Sequence, residues 1–349
     1  MNTQPSVRQQ IRTVPFKPCP LCDNNGEFLY LELQDRLFGA NGSWNLAKCS
    51  NRHCGLIWID PMPSAEDIEK AYANYYTHEL QEEKGQIGVL KLINQCMKRG
   101  YLAGKYGYPL SQQSALLKMF GKFLYLFPLR RSKVDEEVRY LQALPQGRLL
   151  DVGCGSGAWL LFMRGLGWQV EGLDFDENAA NVARQRGLQI HCGSLDTQNF
   201  PDEYFDAITL HHVIEHMPNP VGALVECRRI LKKNGKLILS TPNTASLGHR
   251  VFKQYWRGLE PPRHLYLFCP SAMKSMLALA GFDEFTICTT NSDYVWMHSV
   301  ILRLGEGEFS HTLNFAKKII VLTLTLMEQL LLVGNPEAGE SLAVRVFKK

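Results

Sequence analysis

The sequence lacks a strong net charge and a long uninterrupted apolar run. Its 38 Lys and Arg residues against 34 Asp and Glu residues leave a formal charge of +4 over 349 residues. So mild a charge neither requires nor excludes an anionic partner. The most apolar stretch, residues 311–333, is interrupted by Glu328 and Gln329, which favours a packed helix over a membrane span.

The first 20 residues lack the apolar segment of a secretory signal. Ten cysteines are present, most of them single within apolar runs. Without an export signal, reduced thiols are expected rather than disulfides. A cytoplasmic location is therefore expected. Peripheral contact with the inner face of the membrane is left open by the apolar segment Ser114–Leu126.

Four of the cysteines form two closely spaced pairs. Cys19 and Cys22 form the first pair, and Cys49 and Cys54 the second, with strand-like sequence between them. This spacing predicts a structural zinc ribbon over residues 19–60, preceded by a disordered lead-in over 1–18. Two disulfides, free thiols, or His53 in place of Cys54 as a ligand are the alternatives.

Residues 61–133 are predicted to form a helical insert. Ser64 is placed to cap a short helix through about Tyr75, and longer helices are predicted over Ile87–Arg99 and Ser114–Leu126. The last segment is very apolar but too short to span a bilayer. It could be a lid over the site, a patch that touches lipid, or a buried helix that packs on the main domain.

From residue 148 to residue 289, strands and helices alternate, which predicts a parallel sheet with helices on both faces. A helix over Ser132–Leu144 precedes this region, and Ser341–Phe347 alternates like a seventh strand. The fold class is therefore α/β, a doubly wound and mostly parallel seven-stranded sheet. The six earlier strands are predicted at 148–152, 169–173, 188–192, 207–211, 236–240 and 282–289.

A glycine loop organises this region. Gly153, Gly155 and Gly157 follow the apolar run 148–152, a helix and second strand come next, and Asp174 lies 21 residues after the first glycine. Strand, glycine loop, helix, strand and acid together predict a nucleoside-binding unit, with the acid on the ribose. The loop also fits the dinucleotide fingerprint, so a nicotinamide oxidoreductase is an alternative.

Several segments resemble class I S-adenosylmethionine-dependent methyltransferases. They are LLDVGCGSG (149–157), VEGLDFD (170–176), FPDEYFDAITLHHVIEHMPNP (200–220), RRILKKNGKLILSTPN (228–243) and PPRHLYLF (261–268). The resemblance implies a methyltransferase domain over 134–349 and S-adenosylmethionine as the methyl donor. The front half is similar to bacterial members with a four-cysteine zinc module, which are associated with polysaccharide or lipid-linked sugar biosynthesis. The implied acceptor is a small molecule, such as a sugar or a lipid-linked glycan precursor.

The resemblance also implies roles for individual residues. Asp151 and the three loop glycines would hold the methionine part of the cofactor. Asp174 would bind the ribose and Phe175 would lie against the adenine. Asp196 would accept from the adenine amino group, although the family more often has an acid at the position of Ser194. His211 would line the methyl-transfer cleft.

The stretch His212-Val-Ile-Glu215-His216 offers catalytic groups. If it were helical, His212, Glu215 and His216 would share one face, and His264 of the PPRH segment could converge on them. One of these histidines could act as a base or bind the substrate. Some relatives bind a divalent metal here, but His212 replaces the first acid of their pattern. The structural alternative is that these side chains only brace the loop.

The acceptor pocket is predicted between the helical insert and residues 244–268. The candidate lining residues are Tyr75, Tyr76, Trp256 and Arg263. The aromatic rings would stack on a sugar or other ring, and the arginine would take a phosphate or carboxylate.

Three other classes of protein are alternatives to a small-molecule methyltransferase. H-x-x-E-H is also the motif of inverted zincin peptidases, but here it follows a buried strand and ends at Met217-Pro-Asn-Pro220. An RNA methyltransferase could use the ribbon to grip nucleic acid, yet no dense basic stripe with interleaved aromatics is present. A non-catalytic scaffold would have no chemical need for the intact glycine loop and Asp174.

Overall fold

The computed structural model describes residues 10–16, 18–72, 88–109, 115–304 and 315–349. Its first part is built from short strands followed by a 3-10 turn, Ile68–Tyr72. The longer helix expected through about Tyr75 is thus a 3-10 turn in the part that the structure describes, and Tyr75 itself lies outside the described ranges. The strands are β1 Thr13–Val14, β2 Gly26–Leu33, β3 Trp44–Cys49, β4 Ile57–Ile59 and β5 Met62–Pro63.

Three helices follow, and they differ from the predicted ones mainly in their ends. They are α1 Val89–Lys105, α2 Ala115–Gly121 and α3 Pro128–Glu137, with a 3-10 turn, Lys122–Leu126, between the last two. The helix expected over 132–144 ends early, because Arg139 and Tyr140 adopt positive φ values of 46° and 57°, which a helix cannot contain. Helix α3 therefore crosses the boundary proposed between insert and main domain.

The remaining strands and helices alternate along the chain. The strands are β6 Arg148–Val152, β7 Gln169–Asp174, β8 Gln189–Cys192, β9 Phe205–His211, β10 Leu231–Pro242, β11 Tyr266–Leu267, β12 Glu284–Thr290 and β13 Ser341–Phe347. The helices are α4 Ala158–Gly165, α5 Glu177–Gln185, α6 Pro220–Ile230, α7 Leu247–Phe252, α8 Pro270–Leu279, α9 Asp293–Arg303 and α10 Phe315–Gly334. Among the described residues, no helix combines the length and apolarity needed to cross a membrane.

Seven strands form the central sheet in the order β12-β13-β10-β9-β6-β7-β8. Strands β10, β9, β6, β7 and β8 are parallel to one another, and β13 runs antiparallel between β10 and β12. The predicted mostly parallel seven-stranded sheet is confirmed, including the contribution of the C-terminal strand. Parallel strands bring their carboxyl ends to one edge, where such sheets bind ligands.

The cysteine-rich segment is joined to this domain through a second sheet. That sheet has the order β11-β4-β3-β2, so the strand Tyr266–Leu267 pairs antiparallel with Ile57–Ile59. One apolar cluster extends from Trp58 in this sheet to Leu150 and Leu237 in the central one. The cysteine-rich segment and the central sheet therefore share a core, and the PPRHLYLF segment links them.

Candidate functional site

The glycine loop connects β6 to α4 and is held in a left-handed backbone conformation. Gly153, Gly155 and Gly157 have φ values of 72°, 52° and 72°, which residues with a Cβ adopt only at a cost. A Cβ on Gly155 would meet no atom within 4 Å, whereas one on Gly157 would lie 2.3 Å from Leu188 Cδ1. Gly155 thus presents bare backbone to open space, and Gly157 is required by packing.

Asp174 ends β7 directly beside this loop. Its Oδ2 accepts a hydrogen bond from Gly155 N at 2.7 Å, and its Oδ1 accepts one from Asp176 N at 3.0 Å. Burial raises the pKa of this carboxyl group, although the two N–H donors oppose the change. Asp174, the residue predicted to bind the ribose, is therefore held against the glycine loop by a hydrogen bond.

Asp151, the predicted methionine ligand, is fully buried in β6. Its Oδ1 is ion-paired with Arg139 and accepts from Thr209 Oγ1 at 2.8 Å. The guanidinium of Arg139 also lies over the Trp159 ring, 3.6 Å from its centroid. Asp151 thus acts on the loop region through Arg139 rather than with a free carboxylate. Arg139 was not predictable from the sequence, because no local pattern marks it.

The other predicted cofactor residues lie at the ends of neighbouring strands. Phe175, which follows β7, has an exposed ring that meets the Tyr72 ring edge-on with a centroid separation of 5.2 Å. Asp196 is exposed in the 3-10 turn Leu195–Thr197 after β8, and His211 is exposed at the end of β9. All three belong to the carboxyl edge of the sheet, as their positions in the sequence predicted.

The HVIEH stretch is not an α-helix, because His212 has a φ of 55° and only Ile214–His216 forms a 3-10 turn. His212 nevertheless reaches Glu215, with 3.2 Å between its Nδ1 and Glu215 Oε1. Burial opposes ionisation of Glu215, but the His212 hydrogen bond and nearby imidazoles lower its pKa to about 2. Its buried Oε2 has no hydrogen-bond partner among the described residues.

His216 and His264 converge on Glu215, as predicted. Their ring centroids are 4.7 Å apart, and ligating atoms of the three residues all lie within 4.8 Å of one another. Each Nδ1 faces a backbone carbonyl, His216 that of Arg263 at 3.0 Å and His264 that of Gly258 at 2.7 Å. Carbonyls only accept, so each contact is a hydrogen bond in the tautomer that carries a proton on Nδ1, and in that tautomer Nε2 is the nitrogen able to accept.

Two predicted acceptor-binding residues have other roles. Trp256 is buried and donates from Nε1 to Glu340 Oε2 at 2.7 Å. Arg263 has no exposed surface, and its guanidinium pairs with Asp35 and Glu260. Neither side chain is accessible to an acceptor, so both assignments are corrected. Tyr75 and Tyr76 lie outside the described residues.

Tyr72 is the aromatic residue that the structure places between the two halves of the site. Its ring meets Phe175, and its hydroxyl oxygen lies 2.9 Å from His216 Nδ1. The tyrosines expected to line the pocket, Tyr75 and Tyr76, come three and four residues later in the sequence. Tyr72 stands at the end of a 3-10 turn, and nothing in its local sequence distinguishes it from its neighbours.

We expect Tyr72→Phe to reduce turnover about 2- to 10-fold without weakening cofactor binding. The change removes one hydrogen bond to His216 and keeps the ring against Phe175. Tyr72→Ala should in addition weaken cofactor binding, because the aromatic contact is lost. Steady-state kinetics and calorimetric titration with S-adenosylhomocysteine separate the two effects. Equal affinity and turnover in all three proteins would contradict this role.

The four cysteines meet as the spacing predicted. Sγ of Cys19 is 3.6 Å from that of Cys54, and Sγ of Cys22 is 3.4 Å from that of Cys49. All four sulfurs lie within 4.8 Å of one another. A zinc ion with four bonds of about 2.3 Å holds its sulfurs about 3.8 Å apart, whereas a disulfide requires about 2.05 Å. The separations thus fit metal ligation.

Residues 115–285 match a family model described as a methyltransferase domain. The seven-stranded sheet and the geometry of the glycine loop agree with this match to a methyltransferase domain, which covers just under half of the chain. The match includes the glycine loop, Asp174 and the HVIEH segment, and it ends before α9 begins.

Named relatives agree with this class. The chain is 34% identical over 137 residues to a ubiquinone biosynthesis O-methyltransferase of Glaesserella parasuis, a match that covers 36% of this chain and 57% of that protein. It is 32% identical over 123 residues to a protein of the same name from Dechloromonas aromatica, covering 33% of this chain and 51% of that protein. The chain thus spans about half the length of the curated relatives that it matches.

Solved structures are also similar. A methyltransferase of Thermotoga maritima, described as a possible histamine N-methyltransferase, aligns with a TM-score of 0.43 and 20% identity over 74% of this chain and 100% of that one. A methyltransferase of Archaeoglobus fulgidus aligns with a TM-score of 0.44 and 19% identity, covering 65% of this chain and 99% of that one.

Proposed function

We propose that the protein transfers the methyl group of S-adenosylmethionine to a hydroxyl oxygen of a small-molecule acceptor. The observation that carries this proposal is the adjacency of the glycine loop and the histidine cluster. A Cβ on Gly153 would lie 2.3 Å from Val213 Cγ2, within the HVIEH segment. A cofactor held by the loop would therefore lie beside the segment that carries His216, with which His264 is in contact.

When bound, S-adenosylmethionine supplies an electrophilic methyl group on a positively charged sulfur. The residues of the chain supply position and proton transfer. Asp174 and Phe175 orient the nucleoside, and Gly155 lets the ligand approach the backbone. Arg139, paired with Asp151, provides a cation beside the loop for the cofactor carboxylate. Alignment of the two reactants in line then accounts for much of the acceleration.

His216 is the proposed general base. Its Nδ1–H is oriented by the Arg263 carbonyl, which leaves the Nε2 lone pair to accept the hydroxyl proton as the oxygen attacks. His264 is more deeply buried, and burial lowers its pKa to about 4, so it is neutral at pH 7. It can position His216 or the acceptor but adds no positive charge.

We expect His216→Ala to lower kcat about 10²- to 10⁴-fold, the range for loss of a general base, with unchanged affinity for S-adenosylhomocysteine. The exposed ribbon residue His53 offers a control, and His53→Ala should leave kcat unchanged. Methyl transfer from labelled cofactor is the measurement. Turnover of His216→Ala within twofold of the unmodified protein would remove His216 from the mechanism.

A second candidate role for the cluster is to hold a divalent cation. One carboxylate and two imidazoles form a donor set for transition metals, and the unpartnered Oε2 of Glu215 is a group that a cation would satisfy. Dialysis against a chelator, followed by addition of Mg²⁺, Mn²⁺ or Zn²⁺, distinguishes the roles. Turnover that is lost and then restored by the ion favours the metal, and unaffected turnover favours the base.

The proposed acceptor is a small molecule with a free hydroxyl group. The names of the relatives concern O-methylation in ubiquinone biosynthesis, which favours a hydroxylated small molecule. A sugar or lipid-linked glycan precursor also offers such hydroxyls and remains the proposed finer class, with a cytoplasmic site of action. Mass spectrometry of a cell extract incubated with labelled cofactor would reveal the acceptor. Label found only in RNA would favour an RNA methyltransferase. A complete absence of label would favour a non-catalytic scaffold.

We also propose that Cys19, Cys22, Cys49 and Cys54 bind one structural Zn²⁺. The separations of the four sulfurs support this assignment. The hydrogen bonds that hold the backbone of Cys49 and Cys54 in place also support it. Ser271 Oγ donates to the Cys54 carbonyl at 3.0 Å, and Cys49 N donates to the Leu56 carbonyl at 2.9 Å. Four thiolates leave no open coordination position, so the ion would have no catalytic role.

A further inference from the structure

The helical insert carries a concentrated positive charge that the whole chain does not show. From Lys84 to Lys133 the sequence contains ten Lys or Arg residues and no Asp or Glu. Within this stretch, residues 115–133 are described without a gap and contain α2, the following 3-10 turn and the start of α3. Lys118, Lys122 and Arg130 are exposed there, and Arg131 is half-buried.

The same segment exposes an unusual number of large apolar side chains. Leu116 and Leu126 are each 71% exposed, more than most apolar residues of the chain. With Leu92 and Ile93 of the adjacent helix α1, they form what we call the basic apolar surface. Its apolar members are Leu92, Ile93, Leu116, Met119, Phe123, Tyr125, Leu126, Phe127 and Leu129.

Two of the helices that form this surface, α1 and α2, pack closely against each other. Gly100 of α1 and Gly121 of α2 lie in contact, and a Cβ on Gly100 would come within 1.9 Å of the Leu117 carbonyl oxygen. Two arginines lie over exposed rings, Arg130 over Phe127 at 5.7 Å and Arg131 over Tyr125 at 5.4 Å. Rings flanked by cations suit a boundary between apolar and anionic layers.

We propose that the basic apolar surface docks on the face of an anionic phospholipid bilayer. Leucine and phenylalanine side chains would enter the acyl boundary, and Lys118, Lys122 and the arginines would meet lipid phosphates. A second copy of the chain fits less well, because a twofold contact through this surface would set cations against cations with no acid between them. The surface is distinct from the glycine loop and the histidine cluster.

Flotation of the full chain with vesicles tests the proposal. We expect binding to vesicles of phosphatidylcholine with one quarter phosphatidylglycerol, weaker binding in 1 M NaCl, and little binding to phosphatidylcholine alone. The double variant Leu116→Glu and Leu126→Glu should lose about tenfold or more of the bound fraction, because it removes two apolar anchors and adds repulsive charge.

A matched control carries the same charge change elsewhere. Val225 and Leu279 are 49% and 53% exposed on helices of the main domain, so Val225→Glu with Leu279→Glu should float like the unmodified protein. Melting with S-adenosylhomocysteine checks that both variants are folded. The proposal is overturned if the unmodified protein does not float, if the surface variant floats equally, or if the surface instead mediates a concentration-dependent dimer without vesicle binding.

Discussion

Replacement of Cys19 by Ser is expected to abolish zinc retention and to unfold the ribbon. In the structure, Cys19 Sγ is buried and close to Cys54 Sγ, so three thiolates would remain around an incomplete tetrahedron. Structural zinc in small modules supplies about 10–16 kcal/mol of apparent binding free energy. Elemental analysis should give one zinc per chain in the unmodified protein and much less in Cys19→Ser, with a lower melting temperature.

Cys96 provides the control for this experiment. It is a partly buried thiol in α1 and belongs to no cysteine cluster among the described residues, so Cys96→Ser should keep full zinc content and stability. One zinc per chain in Cys19→Ser would contradict the assignment. So would an unmodified protein that holds no zinc and melts at the same temperature with and without a chelator.

The ribbon reaches the histidine cluster through one buried arginine. Asp35, in the turn between β2 and β3, binds Arg263 through two contacts of 2.8 and 3.0 Å. The backbone carbonyl of Arg263 in turn faces His216 Nδ1. Loss of the proposed zinc is therefore expected to lower turnover as well as stability, although its four cysteine ligands lie far from the glycine loop in the sequence.

Asp35→Ala is expected to lower the free energy of unfolding by about 3–5 kcal/mol, because it leaves a buried guanidinium without its main partner. Arg263 has no exposed surface, and Asp35 also accepts from the backbone N–H groups of Leu37, Phe38 and Ala40. Urea unfolding monitored by fluorescence is the measurement.

An exposed ion pair provides the control for the buried pair of Asp35 and Arg263. Glu177 pairs with Arg184 at 2.7 Å, with side chains that are 58% and 36% exposed. Glu177→Ala should therefore change stability by less than about 1 kcal/mol. If Asp35→Ala were as mild as Glu177→Ala, the pairing with Arg263 would not support the fold in the way that the geometry indicates.

Features encoded by neighbouring residues were predictable from the sequence. The apolar run 148–152, the glycines that follow and Asp174 specify a strand, a loop and an acid locally, and the structure has each of them in place. Strand β13 was also recognisable, since its apolar residues alternate over seven positions. The spacing of the two cysteine pairs likewise predicted that the four thiols come together.

Features that depend on long-range contacts were not predictable. One partner of Arg263 is Asp35, 228 residues away in sequence. The sequence therefore indicated a free cation that could bind an anionic acceptor. The register of β11 with β4 places residues 266–267 in the ribbon sheet rather than in a pocket wall. The turn at HVIEH depends on a positive φ at His212, which no pattern of apolar residues signals.

The central claim is that the glycine loop and Asp174 form the site for S-adenosylmethionine. Isothermal titration of the protein with S-adenosylhomocysteine tests it most directly, with NAD as the competing ligand and Asp174→Ala as the control variant. The structure predicts saturable binding of S-adenosylhomocysteine with one site per chain, no binding of NAD, and loss of most of the affinity in Asp174→Ala. Binding of NAD in preference, or equal affinity for S-adenosylhomocysteine in the variant, would contradict it.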